Sequence, residues 1–257
     1  MPDPHARRDR RSTRAGLREA ALDRLIEPLL TDAGGAGPAF VVDLGGGAGT
    51  LSVRLAEHGH DVVVVDPSPD ALAALDRRAR EAGVAERVRG HQGDARQLAG
   101  LLDRPVDVLL CHDVLELVDD PAATLLDVAA VLRPGGVLSL LTAQRSGAAA
   151  LRAAAGRVEE ALAVLSHPDG CTGADDPLLR RLDAATTAEL LAAAGLDVVA
   201  VVGVPVLADL VPEAVLDAGP RVREALRQLE AAAGEHPDLR GLASHLHWHA
   251  VRRAPAG

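Results

Sequence analysis

Phe40-Val41-Val42-Asp43-Leu44-Gly45-Gly46-Gly47-Ala48-Gly49-Thr50 is answered a few residues later by Asp61-Val62-Val63-Val64-Val65-Asp66, and this pair decides the fold. The first apolar run reads as a buried parallel strand, the glycines as a tight turn that lets backbone approach a ligand, and 51–58 as the helix that follows. The second buried strand ends at Asp66, where a carboxylate can accept hydrogen bonds from both hydroxyls of a ribose. Together they describe a pocket for a nucleotide-type ligand. A dinucleotide fingerprint, G-x-G-x-x-G, needs glycine at 45, 47 and 50, but 50 is threonine and the third glycine is Gly49. The G-x-G-x-G form has no pyrophosphate to cradle.

Outward from this stretch, strand and helix signals alternate. Strands are predicted at 39–44, 61–66, 87–91, 106–111 and 136–142, with helices at 50–58, 69–82 and 121–132 between them. Leu132-Arg133-Pro134-Gly135-Gly136-Val137-Leu138-Ser139-Leu140 reads as a helix end, a Pro-Gly-Gly turn and a new strand. A helix at 186–194 and strands at 197–204 and 245–252 complete the pattern. The expected fold is α/β, a Rossmann-like doubly wound, mostly parallel seven-stranded sheet with ligands at the carboxyl ends of the strands. Helical insertions interrupt it at about 147–185 and 206–240. The first comprises an Ala-rich helix at 147–165 and a Pro, Gly and Asp-rich loop at 167–183, placed to form a lid over an acceptor. The domain reading is a flexible basic arm at 1–16, then a single domain over 17–257 that opens with an apolar-periodic helix at 17–30.

Composition bounds the functional classes. With 257 residues, 48% of them hydrophobic, the chain can bury one large core, yet it has one Phe, one Trp and no Tyr, so Leu, Val and Ala must build it. All 27 basic residues are arginine. Cys111 and Cys171 cannot make a disulfide framework, and Cys111 at a strand end reads as a core thiol in a reducing compartment. No apolar run approaches the about 18 residues of a membrane span, and the first residues lack the apolar centre of a secretion signal. The expectation is a cytoplasmic protein away from membranes. A net charge of −10 argues against general attraction to nucleic acid, and no DNA partner is expected. The arm gathers Arg7, Arg8, Arg10, Arg11, Arg14 and Arg18 against Asp3 and Asp9, and reads as a solvated tail more than as a phosphate-binding arm.

The glycine loop, Asp66, the 90–96 segment and the Pro-Gly-Gly turn together resemble Rossmann-like, class I S-adenosylmethionine-dependent methyltransferases. Within that class the chain is similar to the tRNA 5-carboxymethoxyuridine methyltransferases, which esterify the carboxylate of a modified wobble uridine. The resemblance runs through Ser12-Thr13-Arg14-Ala15-Gly16-Leu17-Arg18, the glycine loop, Glu57-His58-Gly59-His60, Cys111-His112-Asp113-Val114-Leu115-Glu116 and the Leu132 to Leu140 segment. It implies S-adenosylmethionine as methyl donor, no metal, and contacts to that donor from Arg18, Gly45, Gly46, Asp66, Ala95, Arg96 and His112. Asp43, Gly47 and Gly49 join the cofactor set from the loop itself, and Asp94 from Gly93-Asp94-Ala95, where many methyltransferases present an acid to the adenine amino group. The family places aromatics and then Asn after the fifth strand, where this chain has Thr142-Ala143-Gln144. Base stacking on aromatic faces supplies much of single-stranded RNA recognition. The acceptor is therefore open between tRNA and a small molecule.

Each candidate has a plainer reading. Asp66 could be a solvated strand-end acid, Asp94 a turn cap, and Arg18 a surface arginine rather than a clamp on the methionine carboxylate. His112 is a candidate base, although the resemblance gives it a donor contact instead; no other catalytic residue is assigned. A carboxylate acceptor needs no base. Arg145, Arg152, Arg157, Arg180 and Arg181 lie in or beside the first insertion, where one could pair with an acceptor carboxylate and most would form a solvated face. His245, His247 and His249 share one face of a strand opposite Leu246, Trp248 and Ala250, but i and i+4 side chains stand about 13 Å apart, too far to share an ion. Thr50 and the Pro-Gly-Gly turn disfavour a nicotinamide oxidoreductase. A cofactor-binding protein without transfer activity stays as the alternative.

Overall fold

The computed structural model describes residues 4–34, 37–216 and 219–254. The elements are α1 (Pro4–Gly34), β1 (Phe40–Leu44), α2 (Thr50–Glu57), β2 (Asp61–Asp66), α3 (Pro69–Glu81), β3 (Val88–Gln92), α4 (Leu98–Leu101), α5 (Pro121–Val131... β5 follows directly at Leu132–Ala143), α6 (Arg145–Ala154), α7 (Val158–Ser166), α8 (Ala184–Ala193), β6 (Leu196–Val204), α9 (Glu213–Leu216), α10 (Pro220–Glu235) and β7 (His245–Arg252). Where one domain was expected over 17–257, the chain divides into two compact units. A helical unit comprises Met1–Glu27, Ala143–Ala184 and Val201–His247; a sheet unit comprises Pro28–Thr142, Ala185–Ala200 and Trp248–Gly257.

The arm read at 1–16 needs correction. Residues 1–3 lie outside the described residues, but from Pro4 the backbone is helical and continuous with the helix expected at 17–30. Pro28 sits inside α1, where it removes one i to i−4 hydrogen bond, and the boundary between the units falls at that residue.

The strand order of the sheet is β3-β2-β1-β4-β5-β7-β6. β1 is paired in parallel with β2 and with β4, β2 with β3, and β4 with β5. The valine-rich runs sit at the centre because a parallel strand is covered on both faces; every residue of β1 is buried, and so are Val62 to Asp66 of β2. At the edges the pattern lapses: only Val88 of β3 is buried, and four successive residues of β6, Asp197 to Ala200, are exposed. β7 lies between β5 and β6, so both its edges are paired, and buried His247 joins buried Leu246, Trp248 and Ala250. Trp248 Nε1 donates to Thr142 Oγ1 at 3.2 Å, giving the indole its partner inside the core.

The Pro-Gly-Gly segment is a bulge rather than a turn before a separate strand. Val106 pairs with Leu132 and Val108 with Val137, so the residues between are looped out of one continuous β5. A Cβ on Gly136 would stand 2.8 Å from the Arg133 carbonyl oxygen and 3.0 Å from that of Val106, so only glycine fits.

The helical unit is built around polar side chains that satisfy backbone. The single helix expected at 147–165 is two helices, α6 and α7, separated at Gly156, whose φ of +77° ends the first. α6 carries Gly147, where a Cβ would lie 1.7 Å from the Ala243 carbonyl oxygen. Gln144, buried ahead of α6, donates from Nε2 to the carbonyls of Arg240, Gly241 and Ala243 at 3.1, 3.2 and 2.9 Å. The helical insertion expected at about 206–240 holds two helices, α9 and α10. From α10, buried Glu230 accepts the N–H groups of Val206 and Leu207, each at 2.7 Å, and that of Ala208. Leu17 of α1 packs with Ala208, Leu216 and Leu226.

The 167–183 loop has its own core. Arg181 donates to both carboxylate oxygens of Asp176, at 2.8 and 3.0 Å, and to the Gly170 carbonyl at 2.9 Å. Asp176 also accepts from Thr172 N–H and Oγ1 and from Leu178 N–H. Burial pushes the Asp176 carboxyl up, but the Arg181 guanidinium and the Thr172 and Leu178 donors outweigh it and hold the group well below the usual carboxylate range. The other arginines of this segment are engaged as well: Arg145 with Asp183, and Arg152 and Arg157 with Glu160.

Two predictions follow from these hubs. Glu230→Ala strands three N–H donors and should lower unfolding free energy by about 2–4 kcal/mol, read from urea denaturation, with Glu230→Gln intermediate because one acceptor oxygen remains. Asp176 has a lower pKa folded than unfolded, so its contribution is complete above the ordinary aspartate value of about 4 and is lost as pH falls further. Protease cleavage within 167–183 should therefore stay suppressed down to about pH 4 in the native chain, while Asp176→Asn should be cut at neutral pH.

Candidate functional site

The strand order reverses between β1 and β4, which opens a crevice at the carboxyl ends of those strands. Three loops of the sheet unit meet there: Gly45 to Gly49 after β1, Asp66 to Ser68 after β2, and Asp113 to Glu116 after β4. Gly45, Gly47 and Gly49 all have positive φ, at 75°, 56° and 69°. What a side chain would meet differs at each. A Cβ on Gly45 would strike Val114 Cγ2 at 2.6 Å, one on Gly46 the Asp43 carboxylate at 2.5 Å, and one on Gly49 Leu75 Cδ1 at 2.0 Å. Gly47 alone of the loop faces open space. Its backbone is the part of the turn that a ligand can approach.

Asp66 organises this turn. Its Oδ2 accepts the Gly47 N–H at 2.9 Å and its Oδ1 the Ser68 N–H at 2.9 Å. Gly45 N–H donates to the Val65 carbonyl at 2.8 Å, and Gly49 N–H closes the turn on the Gly46 carbonyl at 2.9 Å. Beneath Gly46, Asp43 is fully enclosed; burial pushes its carboxyl up to about 6, the Ser52 hydroxyl that donates to it works the other way, and the Asp66 charge adds to the rise.

Asp94 serves as a cap. Its Oδ1 accepts the Arg96 N–H at 3.0 Å while Gln97 Oε1 accepts the Asp94 N–H at 2.9 Å, a reciprocal box at the start of the 3-10 turn Ala95–Gln97. The exposed Arg96 guanidinium pairs with the same carboxylate and holds it below its ordinary value. Ala95 is buried. His112 at the end of β4 has Nε2 2.9 Å from the buried Ser139 hydroxyl. Next to it Asp113, with φ of 57°, is the one non-glycine residue with positive φ among the described residues. Cys111 is buried, and that burial, followed by the charges of Glu116, Asp43 and Asp113, pushes its thiol far up, which makes it inert.

The structure thus brings together Asp43, Gly45, Gly46, Gly47, Gly49 and Asp66 in the sheet unit, with Asp94, Ala95, Arg96 and His112 at the ends of the neighbouring strands β3 and β4. Arg18 lies on α1 in the helical unit. Sequence reasoning passes over Ser52, Leu75, Arg78, Val114 and Ser139. Arg78 of α3 donates from Nη1 to the Ala48 carbonyl and to Thr50 Oγ1, each at 2.6 Å. Its helical spacing alone gives no hint of this, because the partners are some thirty residues away. Among the described residues no group of three or more His, Cys, Asp or Glu is arranged to hold a metal ion. No helix among them is long and apolar enough to cross a membrane.

Comparison with known proteins places this geometry. Residues 42–140 match the methyltransferase domain family. A tRNA 5-carboxymethoxyuridine methyltransferase of Escherichia coli is 37% identical over 130 residues, 51% of this chain and 49% of the relative. A ubiquinone biosynthesis O-methyltransferase of Methylococcus capsulatus is 36% identical over 115 residues, 45% and 48% of the two chains. The chain thus spans about half the length of the curated relatives it matches. The crystal structure of a magnesium protoporphyrin IX methyltransferase from Synechocystis superposes with a TM-score of 0.62, covering 94% of this chain and 86% of that one at 17% identity, which establishes a common fold. The sequence match to the methyltransferase domain family thus covers residues 42–140, and the superposition adds a shared fold.

Proposed function

We propose that the chain is an S-adenosylmethionine-dependent methyltransferase whose acceptor is a carboxylate, that of 5-carboxymethoxyuridine in tRNA. The observation that carries the donor half is the glycine turn, packed solid behind Gly45, Gly46 and Gly49 and open at Gly47, with Asp66 beside it. The residues fit the group. Each Asp66 oxygen takes one backbone N–H and keeps lone-pair capacity for a ribose hydroxyl. The turn leaves room for backbone approach without the extra residue that a pyrophosphate requires. Ala95 and Arg96, with Asp94 capping them, would lie at the adenine end, Arg18 would take the donor's carboxylate, and His112 would contact the donor near the acceptor. When bound, the donor supplies a methyl group activated by its sulfonium.

Support for the acceptor is the similarity to the Escherichia coli tRNA enzyme. An acceptor carboxylate is already ionised near neutral pH, so alignment in a water-poor site is the main requirement. His112, with Nε2 engaged by Ser139, suits a positioning contact better than proton abstraction. The similarity to a ubiquinone O-methyltransferase favours a second reading, a small-molecule acceptor.

Calorimetry should register binding of S-adenosylmethionine and its demethylated product but not of NAD; the opposite result would remove the proposal. Asp66→Ala should weaken donor binding by about 1–3 kcal/mol, and Arg18→Ala should raise the dissociation constant roughly tenfold or more. Normal donor binding by the Arg18 variant would remove that residue from the site and leave the rest. For the acceptor, radiolabelled methyl transfer to bulk tRNA followed by mild alkali separates the readings. Label released as methanol supports the ester, retained label points to ring or amine methylation, and unlabelled tRNA points to a small acid.

A further inference from the structure

We infer that Arg78 is a positioning residue for the donor: it fixes the glycine turn in its ligand-ready shape from outside the pocket. The inference rests on the donor reading above. Ala48 is the residue between Gly47, whose backbone faces open space, and Gly49, whose Cβ position is filled by Leu75. Its peptide therefore sets how Gly47 is presented. The peptide before it, Gly46–Gly47, is held by the Gly47 N–H bond to Asp66, and the peptide after it, Ala48–Gly49, by the Ala48 carbonyl, which accepts from Arg78 at 2.6 Å.

The same Nη1 donates to Thr50 Oγ1, also at 2.6 Å, and so ties the turn to the first residue of α2. This matters because α2 begins without a side-chain cap: Gly49 stands at the N-cap position and has no side chain to offer. Without Arg78, the end of the turn nearest α2 would depend on the Gly49 N–H to Gly46 carbonyl bond and on packing against Leu75, since the Asp66 and Val65 bonds hold only its start. Arg78 and Leu75 both project from α3, a helix whose own start is fixed by Ser68 accepting from the Ala71 N–H. Ser68 in turn donates its N–H to Asp66. Asp66 and α3 thus grip the turn on either side of the Gly47–Ala48 peptide, and both grips run back to the same 66–68 corner. Thr50, which replaces the third glycine of a dinucleotide fingerprint, is part of this clamp. Ordering the turn before ligand arrives spares binding that entropic cost.

The test uses the full chain and the demethylated donor product as probe. Arg78→Ala should raise its dissociation constant roughly tenfold, the scale of a lost hydrogen bond from a charged donor. Thr50→Val, which keeps the volume and removes the acceptor, should show a smaller rise, and the double variant should bind no worse than Arg78→Ala alone. Amide hydrogen exchange of the ligand-free chain should quicken at 45–50 and stay unchanged in β1, β4 and β5. Wild-type affinity in Arg78→Ala would overturn the inference, as would weakened binding accompanied by faster exchange throughout the sheet, which marks general destabilisation. Additive losses in the double variant would break the shared clamp. If the native chain itself fails to bind the probe, the donor reading fails instead, and unchanged exchange at 45–50 in Arg78→Ala would still sink the clamp separately.

Discussion

A carboxylate at the end of β2 governs the ligand end of the sheet. Asp66 spends one oxygen on the turn after β1 and the other on the turn that starts α3, so two loops from different strands are fastened to one group. Charge-assisted bonds from backbone N–H groups are stronger than neutral ones, and one on each oxygen leaves further lone pairs on the carboxylate. A residue that serves a ligand in the proposed function is thus first a structural fastener. Replacing it disturbs the loop and the contact together.

The glycines show why sequence spacing carried so much information here. Positive φ at three alternate positions is a backbone demand that any reader of sequence can anticipate. The filled space behind Gly45, Gly46 and Gly49 is a tertiary demand, set by Val114, Asp43 and Leu75. Only Gly47 answers to the open side. Local pattern gives the turn; packing leaves Gly47 as the glycine of the turn beside open space.

Much of the sheet unit was legible for the same reason. Valine runs at 41–42 and 62–65 have nowhere to go but the middle of a parallel sheet, and β2, β7 and the starts of α2, α3 and α5 fall where spacing puts them. The Pro-Gly-Gly bulge was misread because a turn and a bulge share residues and differ only in whether the strand before them pairs, which depends on Val106. Asp94 as a cap was foreseen as one of two roles; Arg78 was not foreseen at all. Its place on α3 is ordinary by periodicity, and its partners belong to another part of the chain.

The helical unit was harder, and its construction explains why. Periodicity reports helices that bury an apolar stripe, but here the segments between helices are held by Gln144, Asp176, Arg181 and Glu230, polar groups matched to carbonyls and N–H donors. Such matches leave no repeating trace. α7 illustrates the cost to prediction: Val158, Leu162 and Leu165 share one stripe at i, i+4 and i+7 yet are exposed, while Ala161 and Val164 beside them are buried, so periodicity points to a face other than the packed one. The two units thus solve the same problem differently. The sheet satisfies its backbone by pairing strands and fills its interior with aliphatic side chains, whereas the helical unit sets irregular backbone around a few buried polar hubs. In a chain with one Phe, one Trp and no Tyr, large rings are not available to fill under long loops, and bidentate or multiply bonded polar side chains take that structural part. A loop organised in this way keeps a defined shape only while its hub is intact, so shape in the helical unit rests on single residues more than it does in the sheet.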